Sequence, residues 1–187
     1  MRQSRPQPAG SPDVATSTAV ATADVTFRPL YTVEERLRRD ASPWTLVQGI
    51  LAPVQFLVFL VSLALVVRYL AWGIGYEAAT ISIVIKTLVL YTIMVTGAIW
   101  ERDVYGQYLF APAFWWEDAV SMVVIALHTF YLTSLFIAWL TPAQQMWLAL
   151  AAYAIYVVNA AQFILKLRAA RLGAAMADKL GAAGAAA

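Results

Sequence analysis

Four long apolar runs dominate the hydrophobic pattern of the chain and predict four membrane-spanning helices. They are Leu46–Leu70, Ala78–Trp100, Ala119–Leu140 and Ala143–Leu165. Each run is long enough to cross a hydrocarbon core, which needs roughly 20 apolar residues. Because no water satisfies backbone groups there, runs of this length must be helical. The pattern therefore predicts an all-α, polytopic membrane protein whose four helices form a bundle.

Polar residues between the runs predict where helices begin. Thr32 and Glu35 have the spacing of a capping box, so a short interfacial helix should run from there to about Asp40. Ser42 and Thr141 are each followed by proline, the pattern of an N-cap and a first helical residue. We expect Thr141 to start the last spanning helix, which would form a tight hairpin with the helix before it.

The two ends of the chain differ from its middle. Residues 1–30 are rich in Pro, Ala, Ser and Thr and have no apolar periodicity, which is typical of a disordered leader. Residues 31–168 contain all four apolar runs and form the expected membrane domain. Residues 169–187 are interpreted as a C-terminal cytoplasmic tail.

Composition and charge placement fix the class and suggest an orientation. Hydrophobic residues make up 61% of the chain and the formal net charge is only +2, which excludes an ordinary soluble domain and argues against nucleic acid as a partner. Arg and Lys cluster before the first run, in the second connection and after the fourth run. Under the positive-inside rule, both termini and the second connection face the cytoplasm.

Ionisable residues concentrate around the second connection. Glu101, Glu117 and Asp118 flank it, while Lys86 and His128 lie inside the neighbouring helices. A central lysine costs ~2.5–3.5 kcal/mol even on a lenient insertion scale, so such residues usually mark a site. At a rise of ~1.5 Å per residue, Lys86 and His128 reach similar depths from opposite sides and are expected to face one cavity. Glu117 and His128 share one face of the third helix.

Each of these residues also has a structural interpretation. Acidic residues at a helix N-terminus favour the helix dipole. Lys86 could extend to the nearer membrane surface, and His128 could form an interhelical hydrogen bond. Gln48 and Gln55, seven residues apart on the first spanning helix, could link helices by hydrogen bonds.

Known soluble catalytic motifs do not occur in the chain. A single histidine and no cysteine argue against zinc, haem-relay and di-iron centres, which need several ligands. The chemistry that remains is acid–base catalysis by carboxyl groups, assisted by a lysine and an imidazole, on a lipid-soluble substrate.

Three segments together resemble the vinyl (bacterio)chlorophyllide hydratases of bacteriochlorophyll synthesis. They are RRDASPWTLVQGILAPVQFLVFLVSL, KTLVLYTIMVTGAIWERDVYGQYLFAPAFWWED and the following helix with His128. The resemblance covers roughly residues 31–168. It implies a hydro-lyase that adds water to the 3-vinyl group of chlorophyllide a or 3-vinyl bacteriochlorophyllide, giving a 3-(1-hydroxyethyl) group.

The resemblance also implies the surroundings of the enzyme. No cofactor is required, because the magnesium is carried by the tetrapyrrole substrate. The expected location is the bacterial inner, photosynthetic membrane, in contact with the lipid bilayer. Other pigment-pathway enzymes or further copies of the chain are candidate partners.

The hydratase reaction suggests roles for the acidic residues. We expect Glu117 to protonate the vinyl group and Asp118 or Glu101 to orient water. A general acid must hold its proton near neutral pH, and partial burial achieves this by raising the pKa of a carboxyl group.

We expect other residues to bind the substrate. His128 is a candidate axial ligand for the substrate magnesium, and the protein has no metal of its own. Lys86 or Arg102 would meet the propionate carboxylate, and the connector aromatics, Trp115 and Trp116 among them, could form a lid over the macrocycle. Glu117 and His128 lie roughly 16 Å apart along the helix, further than the pigment comfortably spans, so these two roles conflict.

Two other functions fit the same residues. A non-catalytic pigment- or quinone-binding subunit of a photosynthetic assembly would use the same histidine and aromatics. A small proton-coupled exporter would need an acidic residue deep in a helix, and none of the four runs contains one.

Overall fold

The computed structural model describes residues 30–185, with side chains described as far as Met176. Within this range the chain is helical without strands: α1 Val33–Ala41, α2 Pro43–Trp72, α3 Tyr76–Tyr105, α4 Trp115–Ile137 and α5 Pro142–Ala185. Helices α2 to α5 are long and apolar enough to span a membrane. This confirms the predicted class, while the predicted leader lies almost wholly outside the described residues.

Two of the three predicted N-cap residues cap their helices through their side chains, and the third bonds to another helix. Thr32 forms the predicted capping box, since Glu35 N donates to Thr32 Oγ1 at 3.2 Å and Thr32 N donates to Glu35 Oε2 at 2.7 Å. Thr141 starts α5 in the same manner, with Gln144 as its partner. Ser42 occupies the N-cap position of α2, but its hydroxyl donates to Asp103 at 2.8 Å. It therefore ties the start of α2 to the end of α3.

Interhelical contacts show an up-and-down arrangement. Gln48 donates to Thr96 at 2.7 Å and Ser62 bonds Ser82 at 2.8 Å, so α2 and α3 run antiparallel along their length. Helices α4 and α5 form the predicted second hairpin. Ser62 also bonds the hydroxyl of Tyr153 at 2.5 Å, which joins α2 to α5 and closes the bundle.

The interior of the bundle is unusually polar, while its outer surface is apolar. Leucine, isoleucine and valine side chains are exposed along α2 to α5, as a lipid-facing surface requires. Core apolar residues such as Phe59, Ile83 and Tyr131 share the interior with buried polar ones. The buried polar residues are Gln55, Ser62, Lys86, Thr87, Glu101, Glu117, Asp118, Ser121, His128, Ser134, Gln145 and Asn159.

Helix ends differ from the ends of the apolar runs. Helix α3 continues five residues beyond Trp100, because a helix needs no apolar side chains once it leaves the hydrocarbon. Glu101 therefore lies inside α3 and is buried. Helix α5 likewise continues past Leu165 to Ala185, so the described part of the expected tail is helical.

The acidic residues lie at one end of the bundle, together with α1. The Ser42–Asp103 bond and the Lys166–Glu117 bond place the start of α2, the end of α3, the start of α4 and the last apolar turn of α5 at this end. Helix α1 packs here too, with Tyr31 stacked on Tyr105. That this end is cytoplasmic remains a prediction from charge placement.

The Thr141 cap provides a test of the fold. Thr141→Ala removes the side-chain acceptor of the first turn of α5 and should lower the free energy of unfolding by about 1 kcal/mol. Thermal unfolding in detergent measures this loss. Thr141→Ser keeps the hydroxyl and should unfold like the unmodified protein; equal losses in both variants would contradict the cap.

Candidate active site

Two buried carboxyl groups meet where α3 ends and α4 begins. Glu101 is 4% exposed and Asp118 is 5% exposed. Their carboxyl groups accept hydrogen bonds from the adjacent residues Ala111 and Phe110, so the two groups lie close together. Because two buried carboxylates this close repel each other strongly, we expect the pair to retain one proton. We refer to Glu101 and Asp118 as the carboxyl pair.

Hydrogen bonds from its backbone attach the connector between α3 and α4 to the carboxyl pair. Ala111 N donates to Glu101 Oε1 at 2.5 Å, and Phe110 N donates to Asp118 Oδ2 at 2.7 Å. Phe110 has a φ of 61°, a left-handed conformation that is strained for a bulky side chain. Such strain persists only where surrounding contacts enforce it, and it is common at functional sites.

Glu117 lies beside this pair but has a different partner. Lys166 on α5 forms an ion pair with Glu117 Oε2 at 2.5 Å and also donates to the carbonyl oxygen of Ala113. Through Lys166, Glu117 joins α4 to α5 and to the connector. Lys166 belongs to the basic residues that follow the fourth apolar run, and nothing in the sequence pattern marks it as a partner of Glu117.

The predicted surface residues divide into exposed and packed groups. Arg102 is exposed, with its guanidinium 4.9 Å from the ring centroid of Tyr108. Trp115 and Trp116 are exposed and contact each other edge-on, at 4.9 Å between ring centroids. Phe114 instead packs into the bundle against Phe163. Only part of the aromatic connector is thus available as an outer binding surface.

Lys86 and His128 form a pair in the middle of the bundle. Lys86 Nζ lies 2.6 Å from His128 Nε2, and both residues are at most 1% exposed. His128 Nδ1 lies 2.7 Å from the carbonyl oxygen of Val124. The geometry assigns the proton to Nδ1, which leaves Nε2 as the acceptor from lysine. The ammonium also lies 4.2 Å from the ring centroid of Tyr156.

This arrangement confirms that Lys86 and His128 face one another at the same depth. The alternative in which Lys86 extends to the surface is wrong, because the lysine is fully buried. The interhelical hydrogen bond considered for His128 is present. Both nitrogens of the imidazole are engaged, so ligation of a magnesium ion would first require Lys86 to move away.

Amide side chains lie between the carboxyl pair and this central pair. Asn159 Nδ2 donates to Ser121 Oγ at 2.7 Å. Gln55 is 2% exposed, yet neither of its amide atoms has a hydrogen-bond partner among the described residues. The interpretation of Gln48 as a link between helices is therefore confirmed, and that of Gln55 is wrong.

An apolar groove on the outer side of α2 and α3 is separate from these groups. Its volume is about 260 Å³, and its lining includes Leu57, Val61 and Ile85. All three side chains are exposed on the lipid-facing surface, at the level of Lys86 and away from the carboxyl pair. The groove therefore does not belong to the candidate active site.

Comparison with known proteins identifies the family. A family model described as 2-vinyl bacteriochlorophyllide hydratase matches residues 31–169, a range that contains every residue of the candidate active site. A 2-vinyl bacteriochlorophyllide hydratase of Rhodobacter capsulatus is 70% identical over 151 residues, which are 81% of this chain and 88% of the relative. One of Cereibacter sphaeroides is 68% identical over 145 residues, 78% of this chain and 90% of the relative. No solved structure matches the chain. The chain therefore belongs to the 2-vinyl bacteriochlorophyllide hydratase family.

Proposed function

We propose that this protein adds water to the vinyl group of a bacteriochlorophyllide-type pigment, as a hydro-lyase of bacteriochlorophyll synthesis. We take the vinyl group that the names of the relatives number 2 to be the 3-vinyl group of the expected substrate. The observation that carries the proposal is the buried carboxyl pair beneath a strained aromatic connector, in a chain that is 70% identical to a hydratase of this kind. The proposed substrate is chlorophyllide a or 3-vinyl bacteriochlorophyllide.

Hydration of a conjugated vinyl group needs a proton donor and a water molecule. The π electrons of the double bond take a proton at the terminal carbon, and the positive charge that forms on the inner carbon spreads into the macrocycle. Water then forms the new C–O bond at the inner carbon and returns a proton to the enzyme. No electron is gained or lost, so the reaction needs no redox partner.

The carboxyl pair is the proposed proton donor. Repulsion between its two buried carboxyl groups favours retention of one proton in the site, and a positioned carboxyl group typically contributes ~10²–10⁴-fold to a rate by proton transfer. Glu117 is less suited to this step, because its carboxyl group is already engaged by Lys166. The structure thus favours Glu101 and Asp118 as the donor and Glu117 as an anchor of the connector.

The proposed pigment position is at the membrane surface, over the connector. The exposed rings of Trp115 and Trp116 offer a stacking surface, and the guanidinium of Arg102 suits the propionate carboxylate. The vinyl group would then enter beside Phe110, whose backbone bond to Asp118 must open for the proton to be transferred. We propose that relief of the strain at Phe110 assists this opening.

With the pigment at this position, it no longer has to span the distance between Glu117 and His128. A pigment at the surface does not reach His128, which lies in the middle of the bundle with both nitrogens engaged. We propose that Lys86 and His128 brace α3 against α4 and do not bind substrate. The magnesium then enters and leaves with the pigment, and the protein contributes no cofactor. We propose the bacterial inner membrane as the location, with both termini cytoplasmic.

Amide substitutions of the carboxyl pair test the proton donor. Glu101→Gln and Asp118→Asn keep an oxygen that can accept the connector N–H, but they remove the exchangeable carboxyl proton. Each should lower turnover by about 10²-fold or more with pigment still bound. The assay incubates 3-vinyl chlorophyllide with membranes containing the protein and follows the blue shift of absorption as the vinyl group is lost.

Glu117→Gln is the matched control. It should keep turnover within about tenfold of the unmodified protein and mainly lower thermal stability, because it removes the ion pair with Lys166. Full loss of turnover in Glu117→Gln, with activity kept in the pair variants, would return the donor role to Glu117. Pigment binding without any conversion in the unmodified protein would favour the non-catalytic binding subunit.

Substitution of His128 tests the proposed brace. His128→Ala leaves Lys86 buried without its acceptor and should lower the free energy of unfolding by ~1–3 kcal/mol. Any change in binding should be the same for the magnesium pigment and its magnesium-free form, measured by fluorescence quenching. A loss confined to the magnesium pigment would show instead that His128 is the axial ligand.

A further inference from the structure

Three buried amide side chains have polar atoms without partners and lie close to the carboxyl pair. Among the described residues, both amide atoms of Gln55, Asn159 Oδ1 and Gln162 Oε1 are buried and make no hydrogen bond. Gln55 and Asn159 are more than nine-tenths buried as whole residues. We refer to Gln55, Asn159 and Gln162 as the amide cluster.

Contacts between α2 and α5 place Gln55 and Asn159 at one level. The two helices are antiparallel, because Ser62 bonds Tyr153 while Phe59 packs on Tyr156 at 4.9 Å between ring centroids. Gln55 lies one helical turn before Phe59, and Asn159 lies about one turn after Tyr156. Both amides therefore lie beyond the Phe59–Tyr156 contact on the same side, in facing helices.

A hydrogen bond places this level next to the carboxyl pair. Asn159 donates to Ser121, and Ser121 follows Asp118 by one helical turn on the same buried face of α4. One turn of helix advances about 5 Å. The amide cluster therefore lies one turn further into the bundle than the carboxyl pair, with Gln162 between the two levels on α5.

The unpartnered atoms have a composition that suits a small hydroxylic ligand. The cluster offers three amide oxygens as acceptors and the NH₂ group of Gln55 as a donor. A water molecule donates twice and accepts from one or two donors, and buried waters typically make ≈ 3 hydrogen bonds to such groups. A carboxylate or phosphate, which only accepts, would meet mostly acceptors here. Buried polar atoms without partners destabilise a fold, so their presence calls for a functional explanation.

From this geometry we infer that the amide cluster binds the water molecule that attacks the pigment, one turn inward from the carboxyl pair that supplies the proton. The inference rests on the proposed function and adds a separate site for the second substrate. When the vinyl carbon has been protonated, an oxygen lone pair of this water forms the C–O bond at the inner carbon. The proton lost from the oxygen returns to the carboxylate left on the pair, which restores the enzyme.

If the water has its own site, protonation of the vinyl group and addition of water can be uncoupled by substitution. When no water attacks the protonated pigment, the terminal carbon loses a proton and the vinyl group forms again. In D₂O this cycle leaves deuterium on the terminal carbon of the recovered vinyl pigment. Gln55→Met fills a similar volume without polar atoms. It should lower hydration by about tenfold or more, the equivalent of one or two lost hydrogen bonds to the water. Deuterium exchange should persist, so the ratio of exchange to hydration rises by at least the same factor.

Gln48→Met is the matched control on the same helix. Gln48 is bonded to Thr96 and to the carbonyl oxygen of Ile93, and it lies two turns away from Gln55. Its substitution should leave the ratio of exchange to hydration unchanged and should lower the thermal midpoint, because a satisfied interhelical bond is lost. Gln55→Met should lower the midpoint less than Gln48→Met does, because Gln55 makes no hydrogen bond to another described side chain.

Mass spectrometry of recovered substrate and product gives both rates in one experiment. An unchanged ratio in Gln55→Met, or a proportional loss of exchange and hydration, would overturn the water site and leave the proposed function intact. A thermal midpoint for Gln55→Met well below that of Gln48→Met would also overturn it, because Gln55 would then have a structural partner. An unmodified protein that neither hydrates nor exchanges would overturn the proposed function and this inference together.

Discussion

The close approach of the buried carboxyl groups of Glu101 and Asp118 is the interaction on which the site depends. It joins the end of α3 to the start of α4, and each carboxyl group also accepts a backbone N–H from the connector. Two ionised carboxylates could not share this space without strong repulsion, so the contact itself requires a retained proton. In the proposed mechanism the vinyl group takes up this proton, and the attacking water returns one to the pair.

The remaining polar groups are arranged in levels below this pair. The amide cluster comes next, then Lys86 with His128, and then the hydroxyl contacts of Ser62 with Ser82 and Tyr153. The outer surface is apolar, so hydrogen bonds inside the bundle hold helices that gain little from hydrophobic burial in lipid. A buried lysine is tolerated because the imidazole of His128 accepts its hydrogen bond and the Tyr156 ring lies 4.2 Å from Nζ.

The sequence predicted the features that depend on run length and helical period. Four spans, two capping boxes, the shared depth of Lys86 and His128, and the buried face from Glu117 to His128 all follow from counting residues. Rotations and crossings of the helices do not follow from counting. Lys166 could therefore not be matched with Glu117, and Gln48 and Gln55 could not be told apart, although only Gln48 faces a partner on α3. The catalytic roles remain predictions.

Infrared spectroscopy of the protein in its membrane tests the central claim most directly, because a protonated carboxyl group has a C=O stretching band that an ionised one lacks. We predict one such band at neutral pH that shifts in D₂O. It should disappear in Glu101→Gln and in Asp118→Asn, and it should persist in Glu117→Gln. A spectrum without a protonated carboxyl band, or with one that only Glu117→Gln removes, would contradict the account.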